Sequence, residues 1–160
     1  MIVKAKAPLR ISFAGGATDV PPYPENYGGA VISATINKCA YVVLTPRKGK
    51  EIHVRSHDYN LSMIIRSKRD LNYDGNLDLV KAAIKTLNIE ERGADLTIYC
   101  DAPPGSGLGT SSAVVVALIG AFREWMNLPL TSYEIANLAY RIERIELGIA
   151  GGLQDQYTST

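Results

Sequence analysis

No apolar run in these 160 residues exceeds the stretch 113–122, far short of the roughly 20 residues a bilayer span requires. Cysteine is scarce. Cys39 and Cys100 stand alone with no C-x-x-C pair, so they read as reduced thiols and not as a disulfide framework. Neither sign of charge dominates: 17 Lys and Arg face 16 Asp and Glu, a formal +1, which excludes a polyanion-binding surface built on bulk charge. Histidine is limited to His53 and His57. In an extended segment that separation is about 13 Å, too wide for one metal ion to bridge. With no H-E-x-x-H helix and no Ser-His-Asp order, zinc and hydrolase chemistry have no foothold. The first residues carry no basic-then-apolar leader pattern, so the expectation is a cytoplasmic protein with neither a membrane nor a nucleic acid as partner.

What is present is ordinary globular material, 46% hydrophobic and 21% charged, long enough to bury a full core without metal or disulfide staples. Residues 2–7 and 8–13 read as two short strands, followed by a glycine-rich turn at 14–19 and a loop at 21–29 whose prolines and paired glycines resist helix and sheet. Residues 30–35 and 39–45 read as a hairpin turning at Asn37-Lys38, and 51–56 with 61–66 as a second antiparallel pair. Leu77, Val80, Ala83, Ile84 and Leu87 recur at helical spacing; 95–100 reads as a strand and 111–126 as a buried helix. Thr131-Ser132-Tyr133-Glu134 has capping-box spacing and opens a helix through Glu146, while 151–160 is left unassigned. Strands first, then a helix, a strand and two helices make an α+β layout.

The most informative stretch is Asp101-Ala102-Pro103-Pro104-Gly105-Ser106-Gly107-Leu108-Gly109-Thr110-Ser111-Ser112-Ala113, between a strand and a long apolar helix. Glycines let backbone approach a ligand, and a helix N-terminus offers unpaired amides at its positive end, a combination suited to phosphate oxygens. A hydroxyl in the first turn of such a helix, as Thr110, Ser111 and Ser112 supply, can ligate a magnesium ion bridging nucleotide phosphates. No lysine follows these glycines, so this is not a Walker A loop, and the acid that a dinucleotide fingerprint needs on a following strand is not seen. An ordinary loop whose Thr110 or Ser111 caps the helix stays open on spacing alone.

Two further clusters hold polar groups. Arg10 stands near the end of a strand that should be buried, where it needs a carboxylate or phosphate partner, and Gly15, Gly16, Thr18 and Asp19 follow it. Glu143 and Glu146, taken alone, read as a solvated helical face, and Asp155 on a glycine-rich segment reads as a base or a turn former.

Together the three clusters resemble the GHMP small-molecule kinases, and the resemblance spans the whole chain. The stretch Pro104, Gly105, Ser106, Gly107, Leu108, Gly109, Thr110, Ser111, Ser112 is similar to the family's P-x-x-x-G-L-x-S-S-A loop, with Thr110 one place ahead of the double serine. The resemblance implies that this loop wraps the phosphates of ATP, that Ser111 and Glu143 hold Mg2+, and that Asp155, in a segment like G-I-M-D-Q, is the catalytic aspartate; Arg10, if near Asp155, would offset negative charge around the transferred phosphoryl group. The run from Arg10 to Asp19 is similar to the family's sugar-binding signature, which implies sugar contacts at Gly15, Gly16, Thr18 and Asp19. Galactokinases carry Gly-Glu-His where this chain has Gly15-Gly16-Ala17, and the continuation through Pro21-Pro22 looks like the heptose 7-phosphate kinases, with fucokinases sharing part of it. The implied fold is the α+β GHMP N-terminal domain, like ribosomal protein S5 domain 2. The implied reaction is Mg-assisted phosphoryl transfer from ATP to the anomeric hydroxyl of a sugar phosphate. Another GHMP sugar kinase and a non-catalytic nucleotide- or RNA-binding module are the alternatives, and homo-oligomerisation is left open. Family members are longer, so 1–160 reads as the N-terminal domain without its C-terminal GHMP partner, expected to bind nucleotide weakly and turn over poorly by itself.

Overall fold

The computed structural model describes residues 1–89 and 91–160. Strand β1 (Val3–Ala14) leads through a short helix α1 (Tyr23–Tyr27) to β2 (Ile32–Pro46), and β3 (Ile52–Ser56) and β4 (Leu61–Ile65) follow. A 3-10 turn at Lys68–Leu71 precedes α2 (Asp78–Thr86) and β5 (Ala94–Cys100). Helix α3 (Thr110–Met126), helix α4 (Ser132–Tyr140) with a π-helical continuation at Arg141–Glu146, and α5 (Gln154–Thr158) complete the order. The sheet runs β1-β2-β5-β3-β4, antiparallel except for the parallel β3–β5 pair. This is the expected α+β class.

Two sequence expectations are corrected in the first half. The chain does not turn at Asn37-Lys38, and 2–7 and 8–13 are not separate strands: β1 and β2 are long strands paired with each other. The cause is a bulge. Pro8 faces Cys39 and Arg10 faces Thr35, so Leu9 alone stands opposite residues 36–38. Pro8 has no N–H for the ladder, and the slack that follows absorbs the turn-forming Asn37 and Lys38 without reversing the chain. The loop at 21–29 also holds a helical turn, α1, because a proline within the first two positions loses only an N–H that the helix could not use.

Alternation sorts the sheet into two faces. Val3, Ala7, Ala40, Val42, Leu44, Ile52, Val54, Leu96 and Ile98 are buried, while Lys4, Lys6 and Arg55 between them are exposed. Helix α3 packs across β1 and β2 and is buried at Ala113, Val115, Val116, Ala117, Leu118, Ile119, Ala121 and Phe122, which explains its nearly continuous apolar sequence. Complete burial of a leucine such as Leu118 contributes about 1.5–3 kcal/mol. The result places the N-terminus of α3 beside Arg10 of β1, where the site forms.

Candidate functional site

The loop before α3 is held open by glycines. Gly105, Gly107 and Gly109 have φ of 79°, 74° and 74°, left-handed values that other residues adopt only with strain. Gly109 takes the N-cap position and no side chain caps the helix, so neither Thr110 nor Ser111 serves as the cap. The amides of the first turn are therefore left for a ligand, on a 17-residue helix whose dipole favours an anion. Pro104, Ser106 and Ser111 are exposed; Leu108 and Thr110 are half-buried, and Ser112 is buried.

Arg10 ties this loop to the far end of the chain. Its backbone N–H donates to the Leu108 carbonyl at 3.0 Å and its Nη1 to the Gly107 carbonyl at 2.6 Å. Its Nε and Nη2 reach the same oxygen, Oδ1 of Asp155, at 2.7 and 2.6 Å. The other oxygen, Oδ2, faces the Gly109 backbone, where an added Cβ would stand 3.5 Å away. The carboxylate that α5 carries thus has one oxygen neutralised and the other turned to the glycine loop.

Asp19 accepts the Gln154 backbone N–H on Oδ2 at 2.8 Å, and a Cβ on Gly152 would meet that oxygen at 2.1 Å, so only glycine fits there. Thr18 is committed to its own loop: its hydroxyl donates to the Gly15 carbonyl at 2.7 Å and accepts the Ala30 N–H at 3.1 Å. Gly15 presses against the Ala30 carbonyl, 1.8 Å from where a Cβ would be, and Gly16 lies near Ser12. The first glycine cluster is thereby folded against the segment that leads into Asp155.

Glu143 overturns its solvated-face reading. It is fully buried, because the π-helical turn after α4 directs it inward. Its Oε1 accepts from the Ser111 hydroxyl at 2.9 Å and its Oε2 from Ser112 at 2.6 Å and from the Gln156 amide. Glu146 remains at the surface, paired with Lys85 at 2.6 Å. Among the described residues no cluster of three His, Cys, Asp or Glu is able to hold a metal by itself. The donor set at Ser111 and Glu143 is instead hard oxygen with one carboxylate beside a glycine-rich loop, which suits Mg2+, an ion that keeps most of its shell as water and phosphate oxygens.

Next to the loop lies a feature the sequence did not reveal, a cavity of about 350 Å³ lined by Ser56, Tyr59, Tyr73, Leu77, Ile98 and Val114 among others. Val114 is one helical turn beyond Thr110, so the cavity adjoins the N-terminal end of α3. Tyr73 on its rim donates to Glu146 at 2.6 Å, with the Lys85 ammonium 5.0 Å from its ring centre. Lys85 and Tyr73 hold the Glu146 carboxyl below its usual range, and burial together with Glu146 pushes the Tyr73 phenol up. Beneath the rim, buried Lys81 donates to the Asn72 carbonyl, Asp74 and Asp78, bracing the segment that forms one wall. These residues come together from β3, α2, β5, α3, the π-helical turn and the loops between, so no local spacing marks them. Gln154 and Gln156 were likewise missed; their only signal was their place on either side of Asp155.

The geometry defines an α+β domain with a glycine-rich loop at an uncapped helix end, flanked by a carboxylate–guanidinium pair and a buried carboxylate. The profile of the GHMP kinases N terminal domain matches residues 78–160. The D-glycero-alpha-D-manno-heptose 7-phosphate kinase of Campylobacter jejuni is 44% identical over 99% of this chain, which covers 48% of that protein. The L-fucokinase/L-fucose-1-P guanylyltransferase of Bacteroides fragilis is 30% identical over 98% of this chain and 19% of its own length. The crystal structure of a D-glycero-D-manno-heptose 1-phosphate kinase from Bacteroides thetaiotaomicron superposes with a TM-score of 0.90 at 42% identity, over 98% of this chain and 52% of that one. The chain belongs to the GHMP kinase family, and it spans about half the length of the heptose kinases it matches.

Proposed function

We propose that the protein is an ATP-dependent sugar kinase that phosphorylates the anomeric hydroxyl of a heptose 7-phosphate, with residues 1–160 as its ATP- and sugar-binding N-terminal domain and a C-terminal domain completing the cleft. The observation that carries this reading is the single guanidinium of Arg10, which holds both the glycine loop at Gly107 and the carboxylate of Asp155. A phosphate cradle and a candidate base fixed by one rigid group are what in-line phosphoryl transfer requires, since its catalysis is mostly positioning and charge neutralisation. The amides at 107–112 receive the triphosphate oxygens, and the cavity beside Val114 receives the flat purine between Tyr59 and Tyr73.

Asp155 orients the attacking sugar hydroxyl and accepts its proton on Oδ2, the oxygen Arg10 leaves free. Arg10 offsets negative charge near the transferred group. Asp19, with Oδ2 bound to Gln154, has Oδ1 to accept from sugar hydroxyls, and Gly15 and Gly16 let the substrate approach the backbone. Ser111 and Glu143 are the residues to hold Mg2+, which when bound neutralises charge on the phosphate oxygens.

The test is magnesium-dependent ADP release against heptose 7-phosphate, fucose, galactose and mevalonate in parallel. Activity confined to heptose 7-phosphate supports the full reading. Activity on fucose alone transfers it to the fucokinase branch, which the Bacteroides fragilis relative supports. Silence on all four with ATP bound removes the substrate assignment.

A further inference from the structure

Beside Asp19 and next in sequence to Asp155 lies a polar pair that is only half satisfied within the fold. The Gln154 side-chain amide donates to Ser12 Oγ at 2.7 Å, joining α5 to β1 across 142 positions of sequence. Ser12 is exposed and Gln154 half-buried, and Ser12 Oγ also borders Gly16 in the first glycine cluster. Gln154 Oε1 has no partner among the described residues, and the Ser12 hydroxyl proton has no acceptor there. The backbone contact with Asp19 is made by the Gln154 main-chain N–H, and its carbonyl accepts from Thr158 at 2.8 Å. Any residue but proline preserves both main-chain bonds, so the carboxamide is engaged only by Ser12.

We infer that Gln154, oriented by Ser12, is a substrate-contacting residue that sets specificity for a polyhydroxylated sugar; this rests on the sugar-kinase reading above. A free acceptor at Gln154 Oε1, with free donors on its amide and on the Ser12 hydroxyl, held next to each other by their hydrogen bond, matches a sugar hydroxyl, which both donates and accepts. An apolar side chain of similar length at position 154 keeps the volume and loses the acceptor, leaving a substrate hydroxyl unpaired when the site closes on it.

Calorimetric binding and steady-state kinetics on the purified protein, with heptose 7-phosphate as probe, test this in Gln154→Met, Ser12→Ala and the double variant. The expected result is a sugar Kd and KM raised about tenfold by Gln154→Met, with KM for ATP within a factor of about two of its original value. Ser12→Ala is expected to add little in the Gln154→Met background, because the two act as one unit. A fall in kcat with both KM values altered alike, or a loss of thermal stability with unchanged sugar affinity, overturns the assignment in favour of a purely structural pair. Wild-type protein that binds ATP but no sugar overturns the kinase reading and this assignment with it.

Discussion

Glu143 shows how much one buried side chain commands. Two of the three donors on its carboxylate, the Ser112 hydroxyl and the Gln156 amide, are as buried as the carboxylate itself, while Ser111 is exposed and can turn to water. Glu143→Ala should therefore destabilise the protein by about 2–5 kcal/mol in urea titration, since the buried Ser112 hydroxyl proton loses its acceptor and the Gln156 amide keeps only Ser112. At Asp155 the expectation is different. Asp155→Asn keeps the shape of the pocket, so turnover should fall by a factor of at least about 100 while nucleotide affinity is retained, measured by ADP release and by ATP titration. Near-normal turnover would remove the base assignment. Gly109→Ala joins these: at φ of 74° it strains the backbone by about 1–2 kcal/mol and sets a methyl against Arg10 and Asp155, so stability and ATP affinity should fall together.

Elements carry their own tests. The capping box predicted at Thr131 is present, with the Thr131 hydroxyl accepting from the Glu134 amide and Glu134 accepting from the Thr131 N–H. Thr131→Ala should lower the stability of the domain by about 1 kcal/mol, read as a shift in thermal midpoint. Between α2 and the turn after α4, Glu146 has its folded value depressed by Lys85 and Tyr73, and Lys85 has its value raised by Glu146. The carboxylate's contribution is thus full above its unfolded value near about 4.3 and is lost as pH falls through the depressed one; the ammonium's is full below about 10.4 and is lost on rising through the raised one. Comparing wild type with Glu146→Gln, the gap in thermal midpoint should be open at neutral pH and close below about pH 4. A gap that persists in acid would mean that packing, and not charge, holds the rim. Periodicity had already marked α2 and β5, because each buries a face with one clear spacing, and α3 was marked by the length of its apolar run. It did not resolve the continuity of β1 and β2, whose bulge depends on a partner strand some 30 residues away.

For the molecule as a whole, the loop from Pro104 to Ser112 was legible as suited to phosphate oxygens, while Arg10 read equally as half of a structural ion pair and Asp155 as a base or a turn former. Their convergence was not legible from spacing, because it spans 145 positions between Arg10 and Asp155. The sequence by itself determined an α+β layout and a glycine loop opening an apolar helix, a combination suited to phosphate oxygens. These follow from local periodicity, from backbone freedom at glycine and from the chemistry of side chains. Only the tertiary structure decided that Arg10 clamps the loop and Asp155 together, that Glu143 is buried beneath Ser111 and Ser112, and that a cavity opens beside Val114. Each of those depends on which surfaces meet when the helices bury their apolar faces against one side of a twisted sheet, and no local pattern encodes that meeting.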